Sequence, residues 1–309
     1  MDTKTTSASQ VLLAGFFWGT SGTISAFFPI SVSPLTIGAL RLTVGSLALL
    51  LYLAITNHGK PFSHTQRLPL TLILITAFGM AITQVALFFS VRLAGVTIAT
   101  MIFIGTPPLF CGLFSAIVRK EYQSRAWLVC ALIVAGGCIG MAFSEGISSH
   151  PESGAPVLQG SLIALLAGAG WAMEGLCIKE IQKKATPVEA STLVLLAGSI
   201  VLFPIAAAEG LSWLGQASNL GLSLALGVVS AALPYVLFSL GMKHLPPEHA
   251  FIYGLTEPIT ASLLGILLLK ERLSATGIIG YGFVILGLVC FSIWEIKGKG
   301  KGKGKKGSI

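Results

Sequence analysis

The sequence predicts an all-α integral membrane protein of ten transmembrane helices, arranged as two inverted five-helix repeats. Three observations predict it. Only 10% of the 309 residues are charged, 54% are hydrophobic and the mean hydropathy is +0.85. A soluble domain carries about 25% charged residues, so there are too few charges here to coat water-facing globules. Ten apolar stretches of about 20 residues, the length that crosses hydrocarbon, follow one another along the chain. Landmark residues of the first half also recur in the second. The same composition excludes disordered, collagen-like and disulfide-scaffold proteins.

The polar start Met1–Gln10 runs directly into the first apolar stretch, 10–28. It has no small-residue cleavage site and further spans follow, so it is expected to stay as a first helix. The next four stretches are 34–56, 69–91, 96–118 and 126–144; the last five are 157–178, 189–208, 219–241, 248–269 and 275–295. Clusters of Pro, Gly, Ser and charge separate them. Lipid offers the backbone no hydrogen-bond partner, so each stretch is expected to be helical. Five cysteines (Cys111, Cys130, Cys138, Cys177, Cys290) all fall inside apolar runs and read as small packing residues.

Orientation follows from where the cations sit. On the side of the termini lie Lys4, Lys60, Arg67, Arg119, Lys120, Arg125, Lys179, Lys183, Lys184, Lys243 and six tail lysines; opposite lie only Arg92, Lys270 and Arg272. By the positive-inside rule both termini are expected in the cytoplasm. The tail 297–309, KGKGKGKGKKGSI, is expected to be a disordered, solvated block. It supplies much of the +8 net charge, so no nucleic-acid partner is needed to explain that charge.

The repeat is visible residue by residue. At an offset of 153, Leu12, Leu13, Ala14, Gly15, Trp18 and Gly22 match Leu165, Leu166, Ala167, Gly168, Trp171 and Gly175. At an offset of 150, Leu87, Phe88, Thr106, Pro108, Leu113, Lys120, Glu121, Ser124, Val134 and Gly137 match Leu237, Phe238, Thr256, Pro258, Leu263, Lys270, Glu271, Ser274, Val284 and Gly287. This divides the chain into 1–150, 151–296 and the tail 297–309. Five spans per half is an odd number, so the second half enters the bilayer from the opposite side. The charges agree, since Lys120-Glu121 falls on the cytoplasmic side and Lys270-Glu271 on the other. Inverted repeats let a central site alternate between the two sides, as in many secondary transporters.

On these residues the chain resembles the drug/metabolite transporter superfamily, as a ten-helix member with two EamA-type repeats. The resemblance covers about residues 10–295. It is carried by Gly15-Phe16-Phe17-Trp18-Gly19, by Gly38-Ala39-Leu40-Arg41-Leu42, and by two matching segments. These are Thr106-Pro107-Pro108 through Lys120-Glu121 and Thr256-Glu257-Pro258 through Lys270-Glu271. It implies a bacterial inner-membrane transporter of small metabolites, often amino acids, with a cavity between the halves. The general fold is similar to that of YddG-type amino-acid exporters.

Charges inside a span cost about 2.5–3.5 kcal/mol on insertion scales, so each needs a reason. Glu257 sits beside Pro258, which removes a ladder bond and frees backbone carbonyls nearby. Two roles are open to it: an anchor for a substrate amine or proton, or a structural acid bonded between helices. Glu174 lies one turn from Trp171, as its mate Ser21 does from Trp18, so paired indoles are expected at the pseudo-twofold axis. An alternative for Glu174 is a cytoplasmic position paired with Lys179 or Lys183. Arg41 is expected to snorkel or to pair with a carboxylate, in a structural or gating role. Gln84, Thr106, Tyr235 and Tyr253 complete the candidate lining, and Pro107, Pro108, Pro234 and Pro258 are expected to bend their helices.

No GxxxxGK[ST] loop is present, so the chain does not use ATP as its own power source. No HExxH motif occurs, the five histidines form no ligand cluster, and Asp2 is the only aspartate. No enzyme activity, cofactor or metal is therefore expected. The expected partners are a small-molecule substrate and the lipid bilayer, and the expected state is a monomer, with a homodimer as the alternative. Two other functions remain open: an uncoupled facilitator, which would show no proton dependence, and a receptor or scaffold subunit, which would carry no flux.

Overall fold

The computed structural model describes residues 3–29, 31–149, 154–268 and 275–303. In chain order the first half comprises α1 (Thr3–Ser25), α2 (Pro34–Thr56), α3 (Leu70–Ala94), α4 (Val96–Gly105), α5 (Pro107–Phe114) and α6 (Arg125–Ser149). The second comprises α7 (Gly154–Ile181), α8 (Pro187–Glu209), α9 (Ala217–Gly227), α10 (Leu233–Met242), α11 (Pro247–Gly254), α12 (Thr256–Leu268) and α13 (Ala275–Lys303). Wide π-type turns follow α5 at Ser115–Arg119 and α9 at Val228–Ala232.

Each expected span corresponds to one helix or to two contiguous ones. Among the described residues, seven runs are long and apolar enough to cross a membrane, and Arg125–Gly140 and Ile278–Trp294 are shorter apolar runs. The tenth, α1, opens on TKTTSASQ, which dilutes its hydropathy. Leu51, Ile55, Phe78, Leu162, Ile200 and Ile279 are exposed on the outside of the bundle, as lipid contact requires. Two ends differ from expectation. Helix α1 begins at Thr3, and α13 continues to Lys303, seven residues into the tail read as disordered. Extending an existing helix carries no nucleation cost, which favours both extensions. The Lys270-Glu271 pair lies outside the described residues.

Proline sets the breaks. Pro107 and Pro108 cannot donate to the carbonyls of Phe103 and Ile104, and Thr106 separates α4 from α5 there. Pro258 cannot donate to the carbonyl of Gly254, and Leu255 separates α11 from α12. Each break meets the first helix of the other half at a glycine. A Cβ on Gly15 would lie 2.0 Å from Thr256 Oγ1 and 2.6 Å from the Gly254 carbonyl. On Gly168 it would lie 2.2 Å from Thr106 Oγ1 and 3.3 Å from the Phe103 carbonyl. Only glycine permits that approach. Between α6 and α13 the exchange recurs: Gly137 packs on Gly280 and Val284, and Gly287 on Cys130 and Val134.

The start of α1 and Trp294 of α13 lie at one end of the bundle. Ser7 and Val11 of α1 pack on Gly241 at the close of α10, while Trp294 of α13 meets His249 at the start of α11.

Candidate functional site

Trp18 and Trp171 are repeat mates, and their rings touch edge-to-face with centroids 5.5 Å apart. A residue in contact with its own mate lies where the two halves exchange, so this pair marks the middle of the seam. Around it Tyr235 and Phe238 of α10 pack on Trp18 at 5.6 and 5.1 Å. Phe103 of α4 stacks on Trp171 at 4.9 Å, and Phe251 of α11 meets it edge-on at 5.3 Å. Trp18 is 2% exposed and Trp171 8%. The indoles expected to line an open hollow instead form an aromatic plug, because edge-on, tilted and offset-stacked contacts among six rings satisfy their quadrupoles at close range.

Beside the plug sits a charged group. Arg41 donates from Nε (3.1 Å) and Nη2 (2.7 Å) to the carbonyl of Ser230. That carbonyl is available because Pro234, four residues later, has no amide proton to return to it. The expected ion pair is thus replaced by a bidentate hold on backbone, with Glu174 and Glu257 in electrostatic range of the guanidinium. Glu174 is 1% exposed, and neither of its oxygens makes a hydrogen bond of ordinary geometry, although the Tyr235 hydroxyl lies next to it. Glu257 is half-buried and its Oε2 makes no hydrogen bond. The alternative pairing of Glu174 with lysine does not occur. Lys179 is drawn to the carbonyls of Met242, Lys243 and Leu245 at the end of α10, and Lys183 pairs with Glu180 at 2.6 Å.

Other expected lining residues lie around this centre with different neighbours. Thr106 donates to the Ile102 carbonyl (2.8 Å) at the α4–α5 break, between buried Pro107 and the Gly168 approach. Pro108 and Pro258 are buried at their breaks. Ser21 is half-buried one turn from Trp18. Gln84 lies by Gly38 of α2. Tyr253 is buried against Phe291 of α13, at 5.3 Å. The rings of Phe103, Phe238 and Phe251 are the additions; Phe238 carried a signal as the repeat mate of Phe88 and Phe103 as the mate of Tyr253, while Phe251, opposite Met101, carried none. Cys290 is exposed on the outer surface, unlike the other four cysteines, which are buried.

Two cavities lie elsewhere. One, of about 400 Å³, is apolar and lined by lipid-facing residues such as Phe78 and Leu166. The other, of about 520 Å³, opens at the lysine-rich end of the bundle.

A polytopic helical bundle with an apolar outer surface, whose halves meet at buried rings and opposed charges, has the build of an integral membrane protein. The chain belongs to the EamA-like transporter family, which it matches over residues 6–143 and 158–293. This is a family of transporters, not enzymes, within the drug/metabolite transporter superfamily. The chain is 33% identical over 289 residues to the uncharacterized transporter YwfM of Bacillus subtilis, covering 94% of each chain. It is 27% identical over 271 residues to the threonine/homoserine exporter RhtA of Escherichia coli K12, covering 86% of this chain and 84% of that one. A solved crystal structure shares the fold with a TM-score of 0.76 at 17% identity, over 94% of this chain and 97% of that one.

Proposed function

We propose that this transporter exports a small amino acid or a close relative across the bacterial inner membrane by alternating access. In this reading residues 1–150 and 151–296 are the two inverted units, and both termini are cytoplasmic. The observation that carries it is the Arg41, Glu174 and Glu257 group beside the Trp18–Trp171 pair. A zwitterion presents one carboxylate and one ammonium, and this group offers one cation and two acids whose oxygens are not fully used within the protein. Charge-assisted bonds of this kind are about twice as strong as neutral ones, so an amino acid could be held by both ends. The rings then pack on its side chain. The paired Gly15–Thr256 and Gly168–Thr106 approaches support the exchange of halves, and the RhtA similarity supports the substrate class.

Counterflow in proteoliposomes, screened across the amino acids, tests the proposal. The variants E174Q and E257Q remove charge with little change of shape. Each is expected to lower exchange roughly tenfold, the effect of losing about 1.4 kcal/mol of a charged hydrogen bond. The amount of folded protein should hold. Full exchange in both variants, or no exchange of any amino acid by the parent, overturns the reading.

A further inference from the structure

The cavity at the lysine-rich end is built from both halves and is strongly one-signed. Its wall includes Arg119, Lys179, Lys183, Lys184 and Lys243 and no acid. Like charges gathered on one concave surface repel, and such a surface focuses anions. The acids nearby are already engaged. Glu189 closes the N-cap of α8 with Thr186 and accepts the His64 amide at 3.0 Å. Glu248 accepts from Gln123 at 2.7 Å and from Ser115 at 3.2 Å. Glu121 pairs with Arg119 at 3.1 Å and Glu180 with Lys183.

Those engagements leave cations in excess. Lys243 is exposed, and among the described residues its ammonium has no hydrogen-bond or ion-pair partner. Lys184 is exposed and reaches only the Arg67 carbonyl, at 3.3 Å. Arg119, although paired through Nη2, has an Nη1 with no hydrogen-bond partner. Thr186 and Pro187, at the start of α8, also form part of the wall.

We propose that this cavity is a binding site for a soluble oxyanion, a phosphate or carboxylate group held between Lys184, Lys243 and Arg119. The wall argues for a soluble occupant over a lipid headgroup, because its apolar members are only Ala185 and Pro187. The site is separate from the Arg41 group and does not depend on what is transported.

The test uses the full chain in neutral detergent, with inorganic phosphate titrated against chloride at constant ionic strength. Phosphate is expected to raise the melting temperature saturably, by roughly 2 °C or more at tenfold excess over its dissociation constant. The double variant K184Q/K243Q should melt no lower than the parent without phosphate, since it relieves repulsion, and lose the response. If the double variant fails to fold, K243Q alone should show a weakened response. Phosphatidylglycerol added in a parallel arm separates the two sources of oxyanion. No phosphate response in the parent, an undiminished response in the folded variants, or a response to the lipid alone overturns the proposal.

Discussion

Gly15 and Gly168 occupy matching places, yet the atoms they meet differ in how far they can yield. A Cβ on Gly168 collides with a threonine side chain, whereas on Gly15 it collides with both a threonine side chain and a backbone carbonyl. Gly168→Ala and Gly15→Ala are each expected to cost about 1–3 kcal/mol by overpacking. Thr106→Ala should rescue Gly168→Ala, since the next atom is then the Phe103 carbonyl at 3.3 Å. Thr256→Ala should leave Gly15→Ala destabilised, because the Gly254 carbonyl remains at 2.6 Å. Thermal unfolding of the four single and two double variants measures this, and equal rescue in both pairs would count against it. The importance of these glycines was legible in the repeat, because a glycine kept in both halves beside a kept tryptophan marks a close approach. Their partners were not legible, since Thr106 and Thr256 lie in the opposite half. Glu174 shows the same limit. Sequence spacing offered it lysines one or two turns along its own helix, and its actual neighbours come from α2 and α10.

Among the elements, the α9–α10 segment departs furthest from a plain span. Its π-type turn, with the Leu233 amide bonded five residues back to Val228, precedes a proline that frees the Ser230 carbonyl for Arg41. Pro234→Ala supplies the missing amide, which then competes for that carbonyl. The expected outcome is a segment closer to a regular helix and at least as stable, since Pro costs about 3 kcal/mol more than Ala inside a helix. Arg41 loses its anchor, and counterflow should fall roughly tenfold for the loss of about 1.4 kcal/mol of positioning. Parental exchange rates in a folded Pro234→Ala protein would show that the carbonyl does not position Arg41. The bends at Pro107, Pro108 and Pro258 could be foreseen, because a missing donor is a local property of the chain. The π turn could not, because nothing between Val228 and Ala232 distinguishes it from an ordinary apolar helix. The ends of α1 and α13 escaped for a related reason: polarity of composition does not stop a helix that is already propagating.

At the scale of the whole molecule, the halves are tied to each other at both ends around the closed aromatic plug. At the lysine-rich end the Gln66 amide donates to the Lys184 carbonyl (2.7 Å), the His64 amide to Glu189, and Gln123 and Ser115 to Glu248. At the other end Ser33 and Thr36, at the start of α2, both donate to Glu209 at the end of α8, and Phe28 meets Trp213 at 5.7 Å. In the alternating access proposed above, one set opens while the other holds. The Glu209 set is smaller and its ion is more exposed, so it is the easier to release. Glu209→Ala removes two charge-assisted bonds. Discounted for exposure they are together worth about 1.4 kcal/mol, which is tenfold in a two-state equilibrium. Ser21, half-buried near that end of α1, reports on it. In a protein stripped of its five native cysteines, and with the termini cytoplasmic as proposed, Ser21→Cys should be labelled by a membrane-impermeant maleimide from outside the cell. Adding Glu209→Ala should speed that labelling roughly tenfold. Glu189→Ala loosens the opposite end and should slow it. Rates that ignore both substitutions, or rise with both, would mean that the two ends are not coupled through the seam.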